Sequence, residues 1–196
     1  MLLIGFGHRA RQGKNTAALA VLEACPLETQ VRVYAYADAL RAEVLKAIAM
    51  FGGQDHLIRS WKEAGLMPDW VHTEFPKPRS VQQWWGTEYR RAKDPRYWIK
   101  KLNKTLADHK PEVAAVADVR FPNEGDDIHE QGGYLVKVVN TGKTDVDVHE
   151  HESESAMDDY KAWDYFIHAA TAEDCKTQAT AIFQEIVRKR GGLVIP

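Results

Sequence analysis

The chain has 196 residues, of which 44% are hydrophobic and 28% charged, and this suits a single globular domain with inserted segments. Its net charge of −2, without a basic tail or a block of like charges, argues against a large non-specific nucleic-acid surface and leaves only a local basic patch open. Two cysteines 150 positions apart exclude a disulfide framework, and no apolar run reaches membrane-spanning length, so we expect a cytoplasmic protein that binds no membrane.

Strand and helix patterns alternate along most of the chain. Short apolar or β-branched runs predict strands at Met1–Gly7, Val31–Ala37, Val113–Asp118, Tyr134–Val139 and Tyr165–Ala170. Apolar residues at helical spacing predict helices at Lys14–Ala24, Ala39–Phe51, Val81–Arg91, Tyr97–His109, Glu124–Gln131 and Ala172–Arg190. Continuous apolar strands alternating with helices predict an α/β three-layer fold with a mainly parallel sheet.

Two segments interrupt this alternation. Gln54–Pro78 has three prolines and no clear period, so we expect an irregular or short-helical insertion over one edge of the core. Lys143–Tyr160 is the second candidate insertion. We treat both as candidate lids of a single domain spanning residues 1–196.

The segment GHRARQGKNT, residues 7–16, joins the first predicted strand to the first predicted helix. A phosphate loop of the pattern GxxxxGK[ST] needs glycines where backbone N–H groups turn toward the phosphate, and a lysine for the terminal phosphates. Lys14 follows Gly13 as the pattern asks, but Gly7 lies one residue too far away, and His8 stands at the expected glycine. The flanking strand and helix favour phosphate binding over an ordinary turn with an exposed lysine.

The rest of the loop supplies the other expected contacts. Asn15 occupies the usual hydroxyl position, and the hydroxyl that would reach Mg²⁺ comes one residue later, at Thr16. Arg9 and Arg11 add positive charge that suits a polyphosphate, or they are solvated arginines. The predicted ATP-binding residues are Arg11, Gln12, Gly13, Lys14, Asn15 and Thr16.

Acidic residues follow two other predicted strands. The apolar run 114–117 ends at Asp118, which resembles the acid that orients Mg²⁺ in phosphate-loop proteins, directly or through water, or which simply opens a turn. Arg120 could clamp a phosphoryl group with two hydrogen bonds. Asp38 either caps the helix after the second strand or faces the acceptor. Ligands of parallel sheets bind beyond the carboxyl ends of strands, where all these residues are expected.

Six segments resemble, in order, motifs of the phage-type deoxynucleoside monophosphate kinases. They are GKNT at 13–16 (family GKDT), YADALR at 36–41 (F-A-D-P-L-[KR]), RSVQQWWGTE at 79–88 (R-x-L-x-Q-x-L-G-T-[DE]), YW at 97–98, DVRFPNE at 118–124 (D-x-R-[FY]-x-[ND]-E) and HESE at 151–154 (H-x-[ST]-E). The resemblance extends from Leu3 to about Ala170. Asn15 departs from the family's aspartate, which puts any role of that carboxylate in doubt.

The resemblance implies a P-loop kinase fold with helical lid and monophosphate-binding insertions, and transfer of the γ-phosphate of ATP to deoxynucleoside 5′-monophosphates for dNTP synthesis. Lys14, Arg120 and Asp118 would be catalytic, with Thr16 and Asp118 serving Mg²⁺. The residues expected to bind the monophosphate are Asp38, Arg41, Arg79, Gln83, Trp84, Gly86, Glu88, Trp98 and Arg120. The expected partners are small-molecule nucleotides, and we expect no stable binding of nucleic acid. A homodimer is left open. A phage-encoded chain would work in the host cytoplasm.

Other interpretations remain open at this stage. The chain could be another small-molecule P-loop kinase, of the dephospho-coenzyme A or phosphomevalonate type, or a nucleotide-binding regulatory module without transfer. Only one of Trp84 and Trp85 can face the core of a regular helix, so the other could stack on a base. Arg90, Arg91 and Lys93 either contact phosphate or form a solvated face. A metal site is disfavoured at His149, Glu150, His151, Glu152 and Glu154, because their spacing matches no zinc motif.

Overall fold

The computed structural model describes residues 1–142 and 151–192. Within these ranges the strands are β1 Leu2–Gly7, β2 Val31–Tyr34, β3 Val113–Val119, β4 Tyr134–Asn140 and β5 Tyr165–Ala169. The helices are α1 Lys14–Ala24, α2 Tyr36–Met50, α3 Gln54–Glu63, α4 Arg79–Trp84 with a π-helical segment Trp85–Arg91, α5 Tyr97–His109, α6 Pro122–Glu130, α7 Glu152–Ser155 and α8 Ala172–Lys189.

The five strands form one sheet in the order β2-β3-β1-β4-β5, and every neighbouring pair is parallel. The prediction of a mainly parallel sheet is therefore confirmed. Gly7 at the end of β1 lies in register with Val119 at the end of β3. The segments that follow these two strands consequently leave the sheet side by side.

Helices cover both faces of the sheet. On one face, α1 and α8 pack against alternate strand residues, among them Ile4, Phe6 and Val136, in a continuous buried core. On the other face, α6 packs against β1 and β4, where Gly5 lets Ile128 approach the sheet closely. This three-layer arrangement confirms the predicted fold class.

The chain separates into two compact units. Unit 1 comprises Met1–Ala35 and the described residues from Leu102 onward, and it contains the sheet, the loop after β1, and helices α1 and α6 to α8. Unit 2 is Tyr36–Lys101 and contains α2, α3, α4 and the π-helical segment. No helix in the described part of the chain is both long and apolar enough to cross a membrane.

Two element boundaries differ from prediction by three residues. β2 pairs with β3 only as far as Tyr34, and the buried Tyr36 already opens α2. Asp38 therefore lies inside the first helical turn, and its prediction as an N-cap is wrong. Gln54–Glu63 forms a helix with Leu57 and Ile58 buried, which agrees with the short-helical alternative for the predicted insertion.

The expectation that only one of the paired tryptophans faces the core is wrong. Trp84 and Trp85 are 3% and 5% exposed. The helix widens into the π-helical segment at Trp85, and Trp61 of α3 reaches both rings, with centroids 5.5 and 5.1 Å away. Tyr89 completes this aromatic core of unit 2. A π-helical turn is a local widening that a sequence period of 3.6 does not reveal.

The contact between β1 and α6 can be tested by adding one methyl group. In Gly5→Ala the new Cβ would clash with Ile128 Cδ1 and lie 3.0 Å from side-chain atoms of Leu135 and Val119. We expect the free energy of unfolding, measured in urea, to fall by about 1–3 kcal/mol, as overpacked cores do.

Ile128→Val is the matched partner variant because it removes the clashing methyl group. Alone it should cost about 0.5–1.5 kcal/mol. Combined with Gly5→Ala, the total loss should be smaller than the sum of the two single losses, since the residues share one contact. Strictly additive losses would contradict this packing.

Candidate active site

The loop between β1 and α1 enters the left-handed backbone region at three residues. His8, Arg11 and Gly13 have positive φ angles of 104°, 58° and 98°. Turns of this kind bring successive backbone N–H groups to one concave side, where they bind anions. His8 thus stands at the pattern's glycine position and also adopts a conformation that favours glycine. The one-residue offset of Gly7 is absorbed because the chain turns at His8 instead.

Lys14 is the buried cation at the centre of this loop. Its side chain is 6% exposed, and its ammonium donates to the backbone carbonyls of His8, at 2.8 Å, and of Arg9. The pKa of Lys14 is lowered to about 7, chiefly by burial and also by the nearby charge of Arg120, against the opposing charges of Glu154 and Asp118. Lys14 is therefore an ammonium poised to change charge near neutral pH.

Arg120 is held at the end of β3 by two glutamates. Its guanidinium donates to Glu154 Oε1 at 2.6 Å. Its backbone N–H and that of Phe121 donate to Glu124 Oε2, at 2.9 and 3.2 Å. Glu124 is 2% exposed and fixes the turn from β3 into α6. The arginine is thus oriented through both its main chain and its side chain, while the latter stays 31% exposed.

The loop itself is tied to the segment that carries α7. Ala10 N donates to Glu154 Oε2 at 2.8 Å. Arg9 donates two hydrogen bonds to Asp158, of 2.9 and 2.6 Å, and these lower the pKa of Asp158. Arg9 therefore forms a bidentate ion pair, while its side chain stays 40% exposed.

His8 lies beside the same carboxylate without forming a charged pair. Its Nε2 is 3.7 Å from Asp158, and burial, together with the charge of Lys137, lowers its pKa to about 4. His8 is consequently neutral at pH 7, and its buried Nδ1 has no hydrogen-bond partner among the described residues. A cleft of about 270 Å³ opens next to it, lined by His8, Arg9, Gln12, Val139, Asn140 and Asp158.

The other predicted loop residues surround this cleft and the start of α1. Gln12 accepts a 2.6 Å hydrogen bond from the backbone of Asn140, which ties the loop to the end of β4. Gly13 O accepts from Cys175 of α8. Asn15 is exposed, and Thr16 is half-buried in the first turn of α1.

Two oxygen donors suited to Mg²⁺ lie near Lys14. Asp118 is half-buried as the penultimate residue of β3, and its charge acts on the ammonium of Lys14. Thr16 contributes a hydroxyl from the first turn of α1. Carboxylate and hydroxyl oxygens are the hard ligands that Mg²⁺ prefers, so the chemistry of these residues fits the ion.

Eight of the nine residues predicted to bind the monophosphate lie in unit 2, and Arg120 lies in unit 1. Asp38 and Arg41 are exposed and pair with each other across one helical turn. Arg79 and Gln83 are half-buried on α4, and Glu88 is exposed on the π-helical segment. These five polar side chains remain within reach of a ligand.

The remaining three residues of that group are packing residues. Trp84 belongs to the aromatic core, and Trp98 is 4% exposed. Trp98 Nε1 donates to the Gly86 carbonyl at 3.0 Å, and a side chain on Gly86 would press on Leu40. Their position favours a scaffold role over direct contact with a base.

Two of the basic residues predicted on the Val81–Arg91 helix or just after it have partners within unit 2. Arg90 forms an ion pair with Glu43 at 3.0 Å, and Glu43 also accepts from Trp85 and Tyr97. Lys93 lies over the ring of Tyr89, 4.1 Å from its centroid.

The acidic and histidine-rich segment has structural roles where the structure describes it. His151 caps α7 by accepting from Ser153 N at 3.2 Å, and Glu154 serves Arg120. His149 and Glu150 lie outside the described residues. Among residues 1–142 and 151–192, no group of three His, Cys, Asp or Glu side chains is arranged to hold a metal ion.

Sequence reasoning missed the carboxylates that organise the site. Glu124 and Glu154 each lie in a segment that resembles a family motif, which was the available signal. Asp158 and Asn140 had no such signal, because their partners Arg9 and Gln12 are more than a hundred residues away in sequence. Only the fold brings these residues together.

Comparison with known proteins links the chain to a kinase. No protein-family model matches it. Over 107 residues it is 36% identical to the deoxynucleoside-5′-monophosphate kinase of Escherichia phage T5. The match covers 52% of this chain and 41% of the phage protein. The chain is thus similar to part of a kinase, and its parallel α/β sheet is consistent with a P-loop kinase fold.

The conformation of His8 gives a prediction about stability. A residue with a Cβ at a φ of 104° is strained by about 1–3 kcal/mol, whereas glycine is not. Because His8→Gly and His8→Ala both remove the imidazole, their difference isolates the backbone. We expect His8→Gly to be the more stable variant by about 1 kcal/mol in urea unfolding.

The control is Ala181→Gly on the exposed side of α8, where glycine should instead cost about 1 kcal/mol. A His8→Ala variant at least as stable as His8→Gly would show that the loop does not turn at this residue.

Proposed function

We propose that the chain transfers the γ-phosphoryl group of ATP to deoxynucleoside 5′-monophosphates. The observation that carries this proposal is the loop that turns around the buried Lys14 next to an anchored Arg120. The similarity to a phage deoxynucleoside-5′-monophosphate kinase supports the choice of acceptor. The chain would be a nucleotide-binding phosphotransferase.

Each residue of the donor site has a proposed task. Backbone N–H groups of the loop other than that of Ala10, which donates to Glu154, cradle the phosphates, and Lys14 neutralises the charge that develops on the transferred group. Arg120 contacts the same phosphoryl group from the end of β3. Mg²⁺ held by Thr16 and Asp118 would supply further charge neutralisation when bound. The acceptor phosphate is already an anion, so no side chain needs to act as a base.

The monophosphate would be bound by the polar residues of unit 2. Arg79 and Gln83 project from α4, and Arg41 and Asp38 form a pair on α2. The arginines suit a phosphate, and the amide of Gln83 suits the edge of a base. Trp84, Gly86 and Trp98 keep these helices in place.

Lys14→Ala is the direct test of the enzyme. We expect the rate of phosphoryl transfer from ATP to each of the four common deoxynucleoside monophosphates to fall by roughly a thousandfold or more, because the positive charge of Lys14 at the transferred group is lost. A coupled assay of ADP release measures this rate. Circular dichroism should show an unchanged fold. If the wild type released ADP with dephospho-coenzyme A or phosphomevalonate but with none of the deoxynucleoside monophosphates, the proposed acceptor would be wrong. Binding of ATP without transfer to any acceptor would refute the proposed kinase activity.

The pKa of Lys14 predicts proton uptake on nucleotide binding. In the free protein this pKa is about 7, so at pH 8 most of the amine is neutral, and the charge of a bound triphosphate favours its protonated form. We expect uptake approaching about one proton per ATP at pH 8 and none at pH 6, where Lys14 is already charged. Calorimetry in buffers of different ionisation enthalpy measures this uptake.

Lys14→Arg is the matched control because a guanidinium stays charged at both pH values. It should abolish the uptake at pH 8. His8 is unchanged in Lys14→Arg, so any proton that its imidazole takes up on ATP binding is common to both proteins and cancels in the comparison. ATP binding at pH 8 without proton uptake would contradict the assignment.

A further inference from the structure

Resting on the proposed function, we infer that Glu154 is a positioning residue: its carboxylate holds the Arg120 guanidinium and the Ala10 amide in one fixed arrangement beside Lys14. One oxygen accepts from Arg120 at 2.6 Å and the other from the backbone N–H of Ala10 at 2.8 Å. The carboxylate therefore bridges the loop after β1 and the end of β3. A single side chain sets the distance between the two cationic parts of the donor site.

The burial of Glu154 makes this bridge rigid. Its side chain is 8% exposed, and a carboxylate at such a position is tolerated only when its oxygens are paired. Burial raises the pKa of Glu154, but the Arg120 guanidinium outweighs that effect and holds the pKa below its usual value. Glu154 is consequently ionised across the neutral range.

Glu154 could be a fixed bridge, or it could be a plug, meaning a carboxylate that occupies the phosphate position until a ligand displaces it. Its surroundings favour the fixed bridge. His151 caps α7, Met157 is 2% exposed, and Asp158 is fastened to Arg9 by two hydrogen bonds. Withdrawing Glu154 would mean unpacking Met157 and breaking that ion pair. The carboxylate therefore stays in place when a ligand binds, and the Ala10 amide serves Glu154 and not the phosphate.

Glu154→Gln keeps the shape of the side chain and removes its charge. We expect kcat with ATP and a deoxynucleoside monophosphate to fall about a hundredfold, as misplacement of a catalytic group does, with a smaller change in the KM of the acceptor. In the nucleotide-free protein, ¹⁵N NMR should show changed signals for both the Ala10 amide and the Arg120 side chain, because both lose the same charged acceptor.

Glu152→Gln is the matched control, since it removes an exposed carboxylate from the same short helix and should change none of these quantities. A cycle with Arg120→Gln tests the path of the effect: if Glu154 acts through Arg120, the double variant loses far less activity than the product of the two single losses. Independent losses would overturn the inference. A lower KM for ATP in Glu154→Gln would also overturn it, because that is the behaviour of a displaced plug.

The NMR signals separate this inference from the proposed function. If the wild type transfers no phosphoryl group but Glu154→Gln changes the signals of the Ala10 amide and the Arg120 side chain together, the function fails and the positioning of Arg120 and the loop by Glu154 stands. If the wild type is a kinase and the variant keeps both its kcat and these signals, the inference fails and the function stands.

Discussion

The candidate site depends on the burial of one ammonium group. A charged lysine is stable inside a protein only when hydrogen bonds and opposite charges replace its water. Lys14 obtains the hydrogen bonds from the carbonyls of His8 and Arg9, which point inward because the chain turns at His8 with a positive φ. The loop conformation and the buried lysine are therefore two aspects of one constraint. This explains why the loop forms although the sequence offers histidine where glycine is expected.

The parallel sheet makes the opposite charges available. β1 and β3 are neighbours in register, so the loop that contains Lys14 and the turn that contains Arg120 begin side by side. Two cations this close repel each other, and that repulsion is one cause of the lowered pKa of Lys14. Glu154 and Asp118 oppose it, and Glu124 fixes the backbone from which Arg120 projects.

The fold was predictable from sequence because its determinants are local. The apolar run before Gly7 and the one before Asp118 indicate buried parallel strands, and the loop pattern around Lys14 needs only ten residues to recognise. The pairing of Arg120 with Glu154 was not predictable, because the two residues are thirty-four positions apart in sequence. From sequence, Glu154 is only a candidate metal ligand or part of a motif. Side-chain pairs of this kind depend on the three-dimensional arrangement alone.

The segment of unit 2 that resembles the kinase motif shows how one pattern can combine two requirements. Trp84 and Trp98 are buried, and Trp98 donates a hydrogen bond to the Gly86 carbonyl, so these residues contribute to packing. Arg79 and Gln83 are polar and half-buried on the same short helix, and in the proposed function they would contact the acceptor. The π-helical segment lets two adjacent tryptophans enter the core together. Acceptor choice in such an architecture would rest on a few polar side chains, and the aromatic residues around them would limit how far those side chains can move.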